Sequence, residues 1–280
     1  NGDIQFNAER DSMGFAEISG TFQNDAFADY MEQSREISLQ AQSIQQDMQG
    51  ASGEAAMALQ DEMKELQEKY KTFELDYVKA NPNALISALV LDRAIATKAV
   101  SLSEIEGIYD TMSEEIKNSP SGKKVLEGIE KLKKSEEAGK NSSIGAVAPN
   151  FSGPNPEGEV IALKDVMGKV TLIDFWAGWC RPCRAENPNI VAVYKKYHNK
   201  GLNVLGVSLD RTEEAWKKAI NEDDLEWDHI SNIAYFDDQI AKLYNVDAIP
   251  AAFLLDENGV IVAKNLRGAA LEEKVAELLN

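Results

Sequence analysis

The chain has 280 residues, with 47 acidic and 29 basic side chains, a net charge of −18 and two cysteines. This length accommodates two domains, each with a sizeable core. The charge argues against nucleic acid and anionic membrane surfaces as partners; no apolar run approaches the ~18 residues of a membrane span, and the start lacks a basic-then-apolar signal region.

Residues 1–25 read as a partial β segment, in which Ile4 and Phe6 alternate and Gly14, Gly20 and Asn24 punctuate. Two short strands bury little alone. The segment is therefore expected to be the remainder of a β-domain that begins earlier, or a hairpin packed on the helices that follow. Residues 26–137 form the expected helical domain. Ile37, Ala41, Ile44 and Met48 step by three and four, as do Ala56, Leu59, Met63, Leu66, Tyr70, Phe73 and Tyr77. Gly50 and Gly53 separate the two stripes. Asn81-Pro82 ends the second stripe and starts another helix, with Pro82 in its first turn. Ser101 and Glu104 read as a capping box for a helix reaching about Lys117, and a last helix follows Pro120. The stripe suits an intramolecular bundle seam or a homodimeric coiled coil. This half holds no histidine or cysteine, so neither catalysis nor soft-metal binding is expected there.

Residues 138–149 (AGKNSSIGAVAP) are small, polar or turn-forming and read as a linker to a domain over 150–280. Beyond the linker, a hairpin around Gly158-Glu159 precedes buried-strand runs at 170–175 and 202–209. A closing hairpin spans 253–263, and helical patterns lie near 183–199, 212–221, 238–244 and 270–279. Strands alternating with helices describe an α/β fold around a mixed central sheet.

Cys180 and Cys183 follow the first long strand and open a helix. A bridge this local closes almost no loop, which leaves redox chemistry or half a metal site. Zinc needs two more ligands, and the two histidines, His198 and His229, match no finger spacing. At a helix N-terminus, unpaired N–H groups and the dipole favour thiolate, and Arg181 adds positive charge. Cys180, the outer sulfur, is the expected nucleophile, and Cys183, one turn further in, is the expected resolving thiol.

The run Asp174-Phe175-Trp176-Ala177-Gly178-Trp179-Cys180-Arg181-Pro182-Cys183-Arg184 resembles the thioredoxin active-site segment, with Pro188 at the helix-kinking position and Ile249-Pro250 at the cis-proline. Residues 144–280 as a whole resemble the TlpA/ResA-like branch with its AhpC/TSA-type core. The supporting segments are Ala148-Pro149-Asn150-Phe151, Gly168-Lys169-Val170, Val207-Ser208-Leu209-Asp210 and Phe253–Gly259. The resemblance implies a thioredoxin fold after a mainly α-helical domain, and a thiol-disulfide oxidoreductase that needs no cofactor and no metal. It implies Asp174 as a buried acid exchanging a proton with Cys183 directly or through water, and Arg181 and Pro182 as the dipeptide tuning the pair. It places Trp179, Ile249 and Pro250 on the client-binding side.

The implied partners are client proteins with cysteine pairs and a further protein that recharges the site. The implied location is extracytoplasmic, with a possible membrane tether on a longer precursor. Reduction is the expected direction, although Arg-Pro replaces the family's commoner Gly-Pro between the cysteines. Glu186 is expected in a surface salt bridge. Ala177 stands where peroxiredoxins carry Thr or Ser, which disfavours a peroxidase. A binding or chaperone-like protein, its main role carried by the helical domain, is the alternative of a different class.

Overall fold

The computed structural model describes residues 3–7 and 17–279, which fall into two compact units, Asn1–Lys133 and Lys134–Asn280. In the first, β1 (Gln5–Asn7) pairs antiparallel with β2 (Glu17–Ser19). Gly14, expected to punctuate this segment, lies outside the described residues. Helix α1 (Phe22–Met48) begins where the Thr21 hydroxyl accepts from the Asn24 N–H at 3.2 Å. Helix α2 (Glu54–Ala80) follows a turn in which Gly53 takes φ 60°, a left-handed conformation that side chains resist. The α2 stripe is a seam within this unit: Leu66 packs with Ile37 and Ile44 of α1, flanked by Leu59, Met63 and Tyr70. Each such buried Leu or Ile contributes ~1.5–3 kcal/mol.

Two expected boundaries move. Pro82 lies in a turn closed by the Ala84 N–H donating to the Asn81 carbonyl at 3.0 Å, and α3 (Leu85–Ala96) starts only after it. The helix expected over 101–117 is two helices. Ser101 caps α4 (Leu102–Thr111) through the Glu104 N–H, and Ser113 caps α5 (Glu114–Lys117) through the Ile116 N–H. Between them Met112 is extended, at ψ 144°, and its side chain joins Leu91, Ile105, Ile116 and Val125 in the core. Helix α6 (Pro120–Asn141) continues into the segment read as linker. Among the described residues no helix is long and apolar enough to cross a membrane.

The second unit opens with an antiparallel hairpin, β3 (Ser152–Pro154) and β4 (Val160–Ala162). There follow β5 (Val170–Trp176), α7 (Arg181–Tyr197), β6 (Leu202–Ser208), α8 (Glu213–Glu222), β7 (Asp228–Ile230) and α9 (Gln239–Leu243). The unit ends with β8 (Ala251–Asp256), β9 (Ile261–Lys264) and α10 (Gly268–Leu279). The sheet order is β7-β6-β5-β8-β9, parallel through the first three strands and antiparallel through the last two. Strand β7, three residues long, has no counterpart among the expected strands.

Side chains alternate along β5 because successive residues of a strand point to opposite faces. Leu172 and Trp176 pack with Ile190, Val193, Trp216 and Leu271 from the helices α7, α8 and α10. Ile173 and Phe175 pack on the other face with Phe151, Ile240 and Tyr244. The result is a thioredoxin-like mixed sheet flanked by helices, preceded in the chain by a mainly helical unit. Asp174 shares the parity of Leu172 and Trp176, so it points toward the α7 face.

Candidate active site

At the end of β5, residues 177–180 turn the chain into α7, and Cys180 is the cap of that helix. Its Sγ accepts from the Cys183 N–H at 3.2 Å. Pro182 occupies the first turn, where a missing N–H leaves no helical bond unmade. The two sulfurs are bonded, S–S 1.99 Å and Cα–Cα 5.3 Å, so the structure holds the oxidised pair. Both cysteines are buried, whereas Arg181 is exposed and Trp179 is 47 % exposed, its indole Nε1 donating to the Leu209 carbonyl at 3.3 Å.

The turn is gripped from two sides. The Gly178 N–H donates to both Asp210 carboxylate oxygens, at 3.1 and 2.9 Å, and the Gly178 carbonyl accepts from Arg184 Nη1 at 3.3 Å. A Cβ at position 178 would stand 3.0 Å from the Ala215 carbonyl oxygen and the Ala219 Cβ, so only glycine fits without displacement. Arg184 is itself held by Asp223 and Glu222, and Asn187 Nδ2 donates to Asp223 at 2.6 Å. The helix N-terminus that carries the sulfurs is thereby fixed against the sheet.

Asp174 is buried in mid-strand, between Gly206 of β6 and Ala252 of β8. It lines a cavity of about 10 Å³ with Cys183, Glu186, Pro250 and Arg267, a volume suited to one water. Burial pushes its carboxyl up to about 7; the nearby Glu186 charge adds to the rise and Arg267 opposes it. An acid poised there can hold or release a proton near neutral pH. The Ile249-Pro250 peptide is cis, and Pro250 borders the same cavity.

Glu186 departs from the surface ion pair expected of it. Its half-buried carboxylate accepts from the Gly268 N–H at 2.7 Å and from Asn189 Nδ2 at 3.1 Å, joining α7 to the start of α10. Arg267, which the sequence reading passed over, donates from Nη2 to the Pro250 carbonyl at 2.6 Å. Nothing local marks either role, because both partners lie far away in sequence. A Tyr235-Phe236 pair against Trp179 was also passed over; two adjacent aromatics before Asp237-Asp238 were its only signal.

The histidines lie apart from the sulfurs' chemistry. His198 sits exposed at the end of α7, its Nδ1 3.1 Å from the Leu202 carbonyl oxygen. His229 is buried against Trp176 and Trp227, and burial pushes its imidazole down to about 3, which keeps it neutral. Among the described residues no three His, Cys, Asp or Glu side chains gather as metal ligands would. Ala177 is fully buried and offers no hydroxyl for a peroxide.

The second unit is similar to known proteins. Residues 144–264 match the AhpC/TSA family, wholly within the second unit. The thiol-disulfide oxidoreductase ResA of Bacillus thuringiensis subsp. konkukian is 34 % identical over 136 residues, 49 % of this chain and 76 % of that protein. Its namesake from Bacillus subtilis is 29 % identical over 144 residues, 51 % and 78 % of the two chains. A solved thioredoxin domain of a thiol-disulfide oxidoreductase from Bacteroides vulgatus is 38 % identical, covering 49 % of this chain and 99 % of that one, with a TM-score of 0.47.

Proposed function

Because the chain belongs to the TlpA/ResA-like thiol-disulfide oxidoreductases, we propose that it reduces client-protein disulfides through Cys180 and Cys183, with Asp174 handling the proton of the second step. The observation that carries this reading is the sulfur pair at the N-terminus of α7 with a buried acid of raised pKa sharing a cavity with the inner sulfur.

In the dithiol form, the N–H groups at the start of α7, its dipole and the Arg181 charge favour the Cys180 thiolate. That sulfur attacks one sulfur of a client disulfide. A Cys180–client bond forms as the client bond breaks, and the departing client thiolate takes a proton from solvent. The Cys183 proton passes to the Asp174 carboxylate, directly or through one water in the cavity. Cys183 then attacks the Cys180 sulfur and expels the second client thiolate. Two electrons have moved to the client, and the chain is left with the Cys180–Cys183 disulfide for a dithiol partner to reduce.

The exposed Trp179, next to the nucleophile in the chain, and Pro250 at the cavity, with Ile249 before it, border the path of an extended client segment. Pro182 and Arg181 set the potential of the pair. An extracytoplasmic location accords with a chain whose only cysteines are the reactive two. Insulin reduction by dithiothreitol tests the reading. The chain should accelerate it, Cys180→Ser should not, and equilibrium with glutathione should place the pair toward the reducing end, near −270 rather than −120 mV. Equal activity from Cys180→Ser, or an oxidising equilibrium, would contradict it.

A further inference from the structure

The surface beside Cys180 is more elaborate than disulfide exchange alone requires. The loop between β7 and α9 sets Tyr235 and Phe236 against the exposed Trp179, with ring centroids 5.3 and 6.3 Å from the indole and 4.7 Å from each other. The Arg211 guanidinium, from the loop after β6, lies over the Tyr235 ring at 3.9 Å. Several cations of this unit pair with the chain's own carboxylates: Arg184 with Asp223, Lys196 with Glu272, Lys242 with Asp237. Arg211 is exposed, stacks on a ring, and enters no such ion pair among the described residues.

The loop is held rigidly in this shape. The Ser231 hydroxyl donates to the Ser208 carbonyl at 2.8 Å and accepts from the Ile233 N–H at 3.1 Å. Asn232 Nδ2 donates to Asp238 at 2.7 Å, while Asp238 caps α9 through the Ile240 and Ala241 N–H groups. Inside this frame Ile233 and Tyr235 both take φ 54°. A left-handed conformation is unfavourable for a side-chain-bearing residue, and a β-branched one is a marked outlier there. Two such residues in one short braced loop, next to a reacting sulfur, are the pattern of a ligand clamp.

We propose that Trp179, Tyr235, Phe236 and Arg211 form a docking platform for a client segment that carries an aromatic residue adjacent to its cysteine and a carboxylate within reach of Arg211. This rests on the redox reading above. The rings offer tilted and edge contacts to one further ring, and Arg211 offers an unpaired planar donor set to a carboxylate. In a chain of net charge −18, Arg211 adds its charge to that of the exposed Arg181, which makes an acidic client segment acceptable at the sulfur.

The test uses the full chain, dithiothreitol as electron donor, and short peptides whose single cysteine is a mixed disulfide with glutathione. A Phe beside the cysteine should raise kcat/KM about 5- to 10-fold over Ser, and a nearby Glu about 2- to 5-fold over Lys. Tyr235→Ser with Phe236→Ser should bring the Phe/Ser ratio close to one. Arg211→Gln, at an exposed position, should abolish the Glu/Lys ratio and keep the Phe/Ser ratio. Ratios within one variant cancel any general loss of folded protein. A wild-type chain that reduces all the peptides but ranks them equally would overturn the platform alone, as would ratios that survive the substitutions. A wild-type chain inert toward every peptide would overturn the redox reading as well.

Discussion

Among the described residues, the helical unit buries Ser34, Ser87 and the tyrosines Tyr30 and Tyr77 as its polar side chains, whereas the second unit buries Asp174, Asn187, Asp210, His229 and Asp238 beside several hydroxyl residues. Ionisable groups are costly to bury without partners, so a fold keeps them inside where something else requires them. Asp210 and Asp238 have structural employment, accepting from backbone N–H groups at Gly178 and at the start of α9. His229 is an inert ring between two indoles. Asp174 differs from all of these, because it is buried, raised in pKa and open to the cavity that Cys183 lines. The helical unit's own polar cluster is cheaper. The Tyr30 hydroxyl donates to Glu74 at 2.8 Å and accepts from Arg93 at 2.9 Å, at a partly exposed junction of three helices.

Asp174→Asn gives the widest contrast between the units. The acid is neutral in both states below pH 3.8, ionises first in the unfolded chain, and keeps its proton in the fold until about pH 7. Its contribution to stability is therefore fully present below pH 3.8 and is lost as pH rises through 7, a penalty of up to ~4 kcal/mol. The variant should unfold at higher denaturant than wild type at pH 8, by roughly 2–4 kcal/mol, yet reduce disulfides about 10- to 100-fold more slowly at pH 7. The rise of wild-type rate with pH through about 7 should be missing from its profile. Chemical denaturation and a pH–rate series check both halves, and a variant that is slower but no more stable would break the contrast.

Tyr30→Phe should have a smaller effect of a different kind. Losing the hydroxyl removes its bonds to Glu74 and Arg93 but leaves those two paired, so stability should fall by about 1 kcal/mol. Disulfide reduction should be unchanged. A matching loss of turnover would show that the helical unit takes part in the chemistry.

The sequence was most legible where structure depends on neighbours in the chain. The stepping of Leu59, Met63, Leu66 and Tyr70 yields α2 and its seam, and the strand-then-helix setting of Cys180 and Cys183 yields the helix cap. The break after Thr111 was also written locally, since Ser113 before Glu114-Glu115 is a helix-start signal that the longer helical pattern obscured. What could not be read depends on register across the fold. Glu186 meets the Gly268 backbone only because α7 and α10 cover the same sheet face, and Arg267 meets Pro250 only because β8 and β9 pair back to the same end. Strand β7 is visible only through its pairing with β6.

Trapping the mixed disulfide tests the central claim most directly. The account predicts that Cys183→Ser, incubated with a disulfide-bonded client, accumulates a covalent adduct on Cys180 by mass spectrometry, while Cys180→Ser accumulates none. An adduct on Cys183 in the Cys180→Ser chain, formed as fast as the first, would contradict the assignment of attack to the outer sulfur and resolution to the inner one.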